Sequence, residues 1–385
     1  MLEKALTGSK NYFVWLIVLL LLVGMGFQFY LRQLAYGLGI TGMSRDVSWG
    51  LYIGQFTFLV GVAASAVMLV LPYYLHNYKV FGKITILGEF LAVAAVTMCL
   101  TFIIADLGQP ARAVNVLLYP TPNSILFWDM IVLNGYLFLN ILVGWTVLGC
   151  EKRGAPPPSW IKPFIYLSIP WAVSIHTVTA FLYAGLPGRG FWLTAIMAPR
   201  FLASAFASGP ALLILICLFL RKYTKFDAGK EAIQTLSKIV TYAMIISVFF
   251  VGCELFTVFY SQSPEHMYHF DYLFVGFHGY HGLVPIMWIC TVLAIVALAL
   301  LIPPSTRNNP TTLAIGCAAT FFALWIEKGI TLVVGGYIPS PLETITEYSP
   351  TIPEMGITLG VWALGFFILS VLYKVALSVR EEEEA

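Results

Sequence analysis

Carboxylates, amides and histidines lie inside stretches of this chain that are otherwise apolar, and they are the residues with chemistry to offer. Asp106 closes one apolar run in Ile-Ala-Asp106-Leu-Gly-Gln109-Pro-Ala-Arg112, and Asp129 enters the next beside Asn123, Trp128 and Asn134. Glu89, His176, Glu254 and the adjacent pair Glu327-Lys328 lie deeper within such runs. Charge in hydrocarbon is costly and is retained mainly where ions or protons move. Buried carboxylates titrate nearer neutrality than exposed ones, and histidine does so unaided, so both suit proton exchange. A route from Glu89 through Glu254 to the aspartates is one reading. Helix capping and ion pairing, with Asp106 and Arg112 as one pair, is the plainer alternative.

Gln55 lies about two turns into the run that opens SWGLYIGQF. A buried amide needs a partner, and either a quinone carbonyl or a neighbouring helix supplies one. Trp49 and Tyr52 beside it fit an aromatic belt at a membrane surface. Glu327 and Lys328 are consecutive and cannot share one helix face, so each is expected to meet a different neighbour. His278 and His281 in FHGYH share a face near the start of a helix, and His281 with His176 would supply the two ligands of a bis-histidine haem. His266 and His269 are expected in the preceding loop, making surface contacts. The six cysteines occur singly without a CxxC, so neither an iron–sulfur cluster nor structural zinc is expected.

The elements that must position these groups are membrane spans. Hydrophobic residues make up 59% of the 385 and charged residues 10%, outside the soluble range. A spanning helix needs about 20 apolar residues, and ten stretches qualify: 13–31, 49–75, 84–105, 125–148, 161–185, 200–220, 236–260, 273–302, 312–335 and 356–379. The fold class is therefore all-α, a single polytopic domain. The first stretch is too long for a signal-peptide core and no small-residue cleavage site follows it, so it reads as a retained helix.

A net charge of +2 conceals an asymmetry. With the N-terminus cytoplasmic, fifteen of the 21 lysines and arginines fall on the inside. Five fall outside (Arg32, Arg45, Arg112, Arg189, Arg200), and Lys328 lies within a helix. Positive-inside bias thus predicts both termini in the cytoplasm. No basic patch is large enough for nucleic acid. The outer segments 32–48, 106–124, 186–200 and 336–355 are rich in Gly, Pro and Tyr and read as ordered surfaces. Residues 155–158, APPP, form a stiff hinge, and the acidic run 381–384 a solvated tail. Gly50/Gly54 and Gly61/Ser65 would let the second helix approach a neighbour closely.

Three segments carry a resemblance: SWGLYIGQFTFLVGVAASAVML, IADLGQPARAVNVLLYPTPNSILFWD and HTVTAFLYAGLPGRGFW. They resemble the NrfD/PsrC family of quinone-reactive membrane subunits over nearly the whole chain, the DLGxPxR run most specifically. The ten-helix length and WIEKG resemble that family's branch linked to dissimilatory sulfite reduction. The resemblance implies two four-helix bundles plus extra helices, with no haem or iron–sulfur cluster of the chain's own. It implies a ferredoxin-like iron–sulfur subunit on the outer face, and other membrane and cytochrome subunits in the complex, in the cytoplasmic membrane of a prokaryote. It implies a menaquinone or menaquinol pocket near that face, at Trp49, Tyr52 and Gln55 with Asp106, Gln109, Arg112 and Asp129 nearby. Some relatives carry a histidine and an asparagine in the turn where this chain has Phe56 and Ile53. The expected function is a quinone-binding electron-transfer subunit in which Asp106, Asp129 and His176 handle protons and Glu89, Glu254, Glu327 and Lys328 extend their path. An ion or proton transporter and a structural anchor are the alternatives.

Overall fold

Inside a bilayer every backbone N–H and C=O must be satisfied within the segment itself, which for long apolar runs dictates helix. A computed structural model describes residues 1–383. It contains ten helices of spanning length: α1 (Lys10–Tyr36), α2 (Leu51–Leu75), α3 (Lys79–Asp106), α4 (Ile125–Glu151), α5 (Ser159–Ala184), α6 (Met197–Tyr223), α7 (Lys230–Ser261), α9 (Val284–Leu301), α10 (Pro310–Gly335) and α11 (Ile352–Glu381). A shorter helix, α8 (Pro264–Phe274), lies between the seventh and eighth spans. The chain is a multi-pass integral membrane protein. An even number of spans brings both ends to one face, called here the terminal face; the opposite one is the distal face. The end of the acidic run expected to form a solvated tail lies outside the described residues.

Helix starts follow local chemistry. Ser9 accepts from the Tyr12 N–H at the head of α1, and Asn309 from the Thr311 N–H, 2.9 Å, at the head of α10, where Pro310 needs no partner of its own. Helices α2 to α5 form one bundle and α6, α7, α9 and α10 a second, joined where α2 packs against α6 and α10; α1 and α11 pair with each other and lie against α3.

Without a hydrophobic drive between helices, small residues decide how closely they pack. A Cβ on Gly54 would collide with the Gly329 carbonyl oxygen, so α2 and α10 touch backbone to backbone. Gly26 of α1 and Gly360 of α11 meet likewise, a Cβ on Gly26 falling 2.6 Å from the Gly360 Cα. The close approach expected of Gly54 is therefore realised at the joint between the two bundles.

The start of the eighth span and the place of His269 differ from expectation. The eighth span begins at Val284, not 273: Gly276 and His278 have φ of +97° and +50°, which no helix accommodates, and Phe277 pairs with Tyr280 in a tight turn. His278 and His281 thus lie in a loop, and His281 Nδ1 sits 3.1 Å from the Val275 carbonyl. The helical pair that a bis-histidine haem requires does not form. His269 is not a surface loop residue either; it lies on α8, 7% exposed.

Candidate functional site

The distal ends of α1, α2, α3 and α11 converge on a polar knot. Gln33 of α1 donates to the Ala105 carbonyl at the end of α3 (2.7 Å) and accepts from the Tyr52 hydroxyl (2.7 Å). An amide thus ties three helices, and both Gln33 and Tyr52 are buried. Asp106 follows Ala105, and its Oδ1 is buried with no hydrogen-bond partner. The expected pair with Arg112 is absent among the described residues. Leu107 leaves the helix with extended ψ and Pro110 starts a new turn, which puts Gln109 and Arg112 at the surface.

Glu354 forms the other side of this region. One oxygen accepts from the Gly42 N–H (2.7 Å) and Thr351 N–H (2.8 Å), the other from the Tyr348 hydroxyl (2.7 Å). That hydroxyl in turn accepts from the Leu51 N–H at the start of α2. The segment 336–351 is thereby fastened over the distal end, an ordered surface as its composition suggested.

Aromatic rings line the neighbouring space. Trp49 stacks on Trp192 at 6.0 Å and meets Tyr183 and Tyr337 edge-on at 5.6 and 6.1 Å. Trp49 belongs to this internal cluster. The Arg189 guanidinium lies 4.4 Å over the Tyr337 ring, and Ser48 donates to the Tyr337 hydroxyl. Burial pushes that hydroxyl up to about 12; Ser48 and Arg189 oppose the rise and Asp106 adds to it. Asp106 is therefore within electrostatic reach of the aromatic cluster.

A groove of about 150 Å³ runs down from this level, almost wholly apolar, between α1, α3 and α11. Phe27, Tyr30, Ile104, Ala105, Val361 and Leu364 are among its lining residues. Its upper end is Ala105, the residue that Gln33 holds and Asp106 follows.

Gln55 lies one turn below Tyr52. Its Oε1 accepts from both Trp325 Nε1 and Trp362 Nε1 at 2.9 Å, and its Nε2 is buried unpartnered. The neighbouring helices thus supply the amide's partner. Replacing Gln55 by leucine is expected to remove about 0.6–1.7 kcal/mol for each lost bond and to shift the emission of Trp325 and Trp362; thermal unfolding with tryptophan fluorescence checks both.

Asp129 accepts from the Thr179 hydroxyl (2.8 Å), and His176, one turn away on α5, is buried with Nε2 unpartnered. These two expected proton handlers are on adjacent helices, α4 and α5. Glu89 lies in the terminal half of α3, buried, with neither oxygen hydrogen-bonded. Glu254 lies in the distal half of the other bundle, so the two are not brought together.

Glu254 and Glu327 instead share Arg200, whose two terminal nitrogens donate one to each carboxylate. Lys328 Nζ donates to the Phe201 carbonyl at 2.9 Å and sits over that ring. The pair on α10 meets two different residues as expected, although both belong to α6. A π-helical turn over Trp325–Thr331 turns both side chains inward. Arg200 is a correction: its position at the edge of a span suggests an outer-loop cation, yet it is 5% exposed and closes the first turn of α6. Gln33 likewise falls in the outer segment 32–48 but is a buried helical residue. The signal that could have found it is the one Gln55 carries, an amide continuing an apolar run.

His269 Nδ1 donates to the Gly335 and Ile338 carbonyls, both at 2.9 Å, which fixes the neutral tautomer. Burial holds its pKa below the ordinary 6.5. The unfolded chain then takes up a proton below pH 6.5 before the folded one does. Its contribution to stability is full above 6.5 and is lost as the pH falls through that window, by at most about 1.4 kcal/mol per unit. The expected result is a melting temperature that falls on acidification, with a shallower slope for His269→Gln.

Residues 39–339 match the family described as polysulphide reductase, NrfD. The chain belongs to the NrfD family of integral membrane proteins. It is 27% identical to a putative dimethyl sulfoxide reductase membrane subunit of Halobacterium salinarum, over 92% of this chain and 89% of that protein. It is 22% identical to the Hdr-like menaquinol oxidoreductase integral membrane subunit of Archaeoglobus fulgidus, over 98% and 96%. It is 21% identical to the menaquinone reductase integral membrane subunit of Nitratidesulfovibrio vulgaris, over 97% and 94%.

Proposed function

We propose that this chain is the quinone-reactive membrane subunit of a respiratory redox complex in the cytoplasmic membrane of a prokaryote. It binds menaquinone or menaquinol near the distal face and exchanges electrons with an external iron–sulfur subunit, ferredoxin-like, docked there. Other membrane and cytochrome subunits complete the complex. Two relatives carry menaquinol or menaquinone in their names, and a third is named as a reductase membrane subunit.

The observation that carries this reading is the apolar groove that reaches Ala105, next in sequence to Asp106, whose Oδ1 is buried without a partner. An isoprenoid tail suits the groove, and a ring at its head would meet Asp106, Tyr52 and Gln33, with Trp49 beyond. Oxidation of a bound quinol releases two protons with its two electrons. Asp106 Oδ1 is free to accept one of them, and the Tyr52–Gln33 bond holds the surrounding donors still. Asp129 with Thr179, and His176 below them, form the next group able to receive a proton. Glu254, Glu327 and Lys328 extend the path if the complex conserves energy. Glu89, with both oxygens unpartnered, favours a second reading as a proton or ion transporter; reconstituted chain that moves its ion with no redox partner would establish that instead.

The test is quenching of tryptophan emission by a menaquinol analogue. Saturation at one analogue per chain, weakened by Tyr52→Phe and by Ile104→Trp in the groove, is expected. Binding that does not saturate, or that ignores both substitutions, would overturn the assignment.

A further inference from the structure

At the terminal face, far from the knot described above, the ends of α6, α7 and α10 surround a cavity of about 260 Å³. Three cations line it, Arg221 from α6, Lys230 from α7 and Arg307 from the turn before α10, and no carboxylate does. Its remaining wall includes Leu218, Ile233 and Leu313, which continue into the membrane-spanning parts of their helices. Two helix N-termini open onto it as well, α7 at Lys230 and α10 at Pro310, each adding the positive end of a helix dipole.

The cations are not neutralised by their neighbours. Among the described residues Arg221 has only Asp227 as an acidic partner, at 3.9 Å with both side chains half exposed, a contact worth little. Arg307 uses Nη1 to hold the Leu301 and Ile302 carbonyls at 3.0 and 3.3 Å. Its Nε is buried without a partner, and Nη2 makes no hydrogen bond among the described residues. Nη2 is left to meet an oxyanion with a charge-assisted hydrogen bond.

We propose that this cavity is a binding site for a phosphate group at the membrane surface, that of an anionic phospholipid head group such as phosphatidylglycerol or cardiolipin. Arg307 meets the phosphate through Nη2, Lys230 and Arg221 supply point charge, and the apolar wall receives the first carbons of the acyl chains. Basic pockets between helices at the cytoplasmic surface recognise anionic head groups in this way. The shared chemistry with free phosphate is the oxyanion; the apolar wall favours the lipid as its source. This inference is independent of the quinone reading, because the two regions lie on opposite faces.

The experiment uses the full purified chain, delipidated in detergent, titrated with phosphatidylglycerol, phosphatidylcholine and inorganic phosphate while melting temperature and native mass are followed. Phosphatidylglycerol is expected to bind at one site and raise the melting temperature, and phosphatidylcholine to do neither. Each of Arg221→Gln, Lys230→Gln and Arg307→Gln should weaken the lipid about fivefold. If Arg307→Gln fails to fold, Lys230→Gln, at the mouth of the cavity, still reads the effect. Inorganic phosphate binding as tightly as the lipid, with the same sensitivity to the variants, would uphold the oxyanion site and reassign its source. Equal binding of both lipids, or lipid binding indifferent to all three substitutions, would overturn the proposal.

Discussion

Replacing Arg200 by leucine is expected to destabilise the protein by about 3–5 kcal/mol, the usual cost of breaking a buried ion pair on one side. The guanidinium is the hydrogen-bonding partner of both Glu254 and Glu327, and the free oxygens Glu254 Oε1 and Glu327 Oε2 are already buried without partners. Formally, two carboxylates balance Arg200 and Lys328; removing the arginine leaves one uncompensated negative charge. The double variant Arg200→Leu with Glu254→Gln restores that formal balance, leaving one carboxylate, Glu327, and one cation, Lys328, and should recover part of the loss. Thermal unfolding monitored by size-exclusion in detergent separates the three proteins. A single variant as stable as the parent would show that the carboxylates are held neutral without the arginine.

The second large effect is expected at Asp106. Asp106→Asn keeps the size of the side chain and removes its ability to take a proton, so turnover of menaquinol by the assembled complex should fall by about 10²- to 10⁴-fold. The loss should appear in kcat, because a carboxamide can still hydrogen-bond a ring oxygen. Stability should scarcely change, since Asp106 Oδ1 has no protein partner to lose. Tyr52→Phe should instead raise KM and lower stability modestly, because it cuts the bond to Gln33. Unaltered kcat in Asp106→Asn would move the proton-accepting role to Asp129 or His176.

The parts of this architecture fixed by hydrophobicity and backbone chemistry were legible in the sequence. Ten spans, their alternation and the return of both ends to one face follow from apolar run length alone. The closeness of α2 and α10 was half visible, since Gly54 announces a tight approach but not to which helix. What resisted reading were the polar residues at the ends of spans. Arg200 and Gln33 lie within a few residues of loops, and their burial depends on helices distant in sequence. Arg200 is 54 residues from Glu254 and 127 from Glu327. No local pattern encodes that meeting. His269 is similar: its partners, the Gly335 and Ile338 carbonyls, are backbone atoms, which sequence spacing does not reveal. Asp106 was recognisable because Pro110 marks where its helix must stop.

The pairing of α1 with α11 bears on how the protein is made. α1 is made before the other nine spans described above and packs against α11, made after them, through a Gly26–Gly360 contact between helices more than 300 residues apart. Until α11 is made, α1 has little to lean on but lipid, and its sequence suits that wait: between Lys10 and Arg32 it carries no ionisable side chain except two tyrosines. A ribosome that stops short of α11 therefore leaves an inserted but unclosed protein, with the Ala105 end of α3 and its polar knot open along one side.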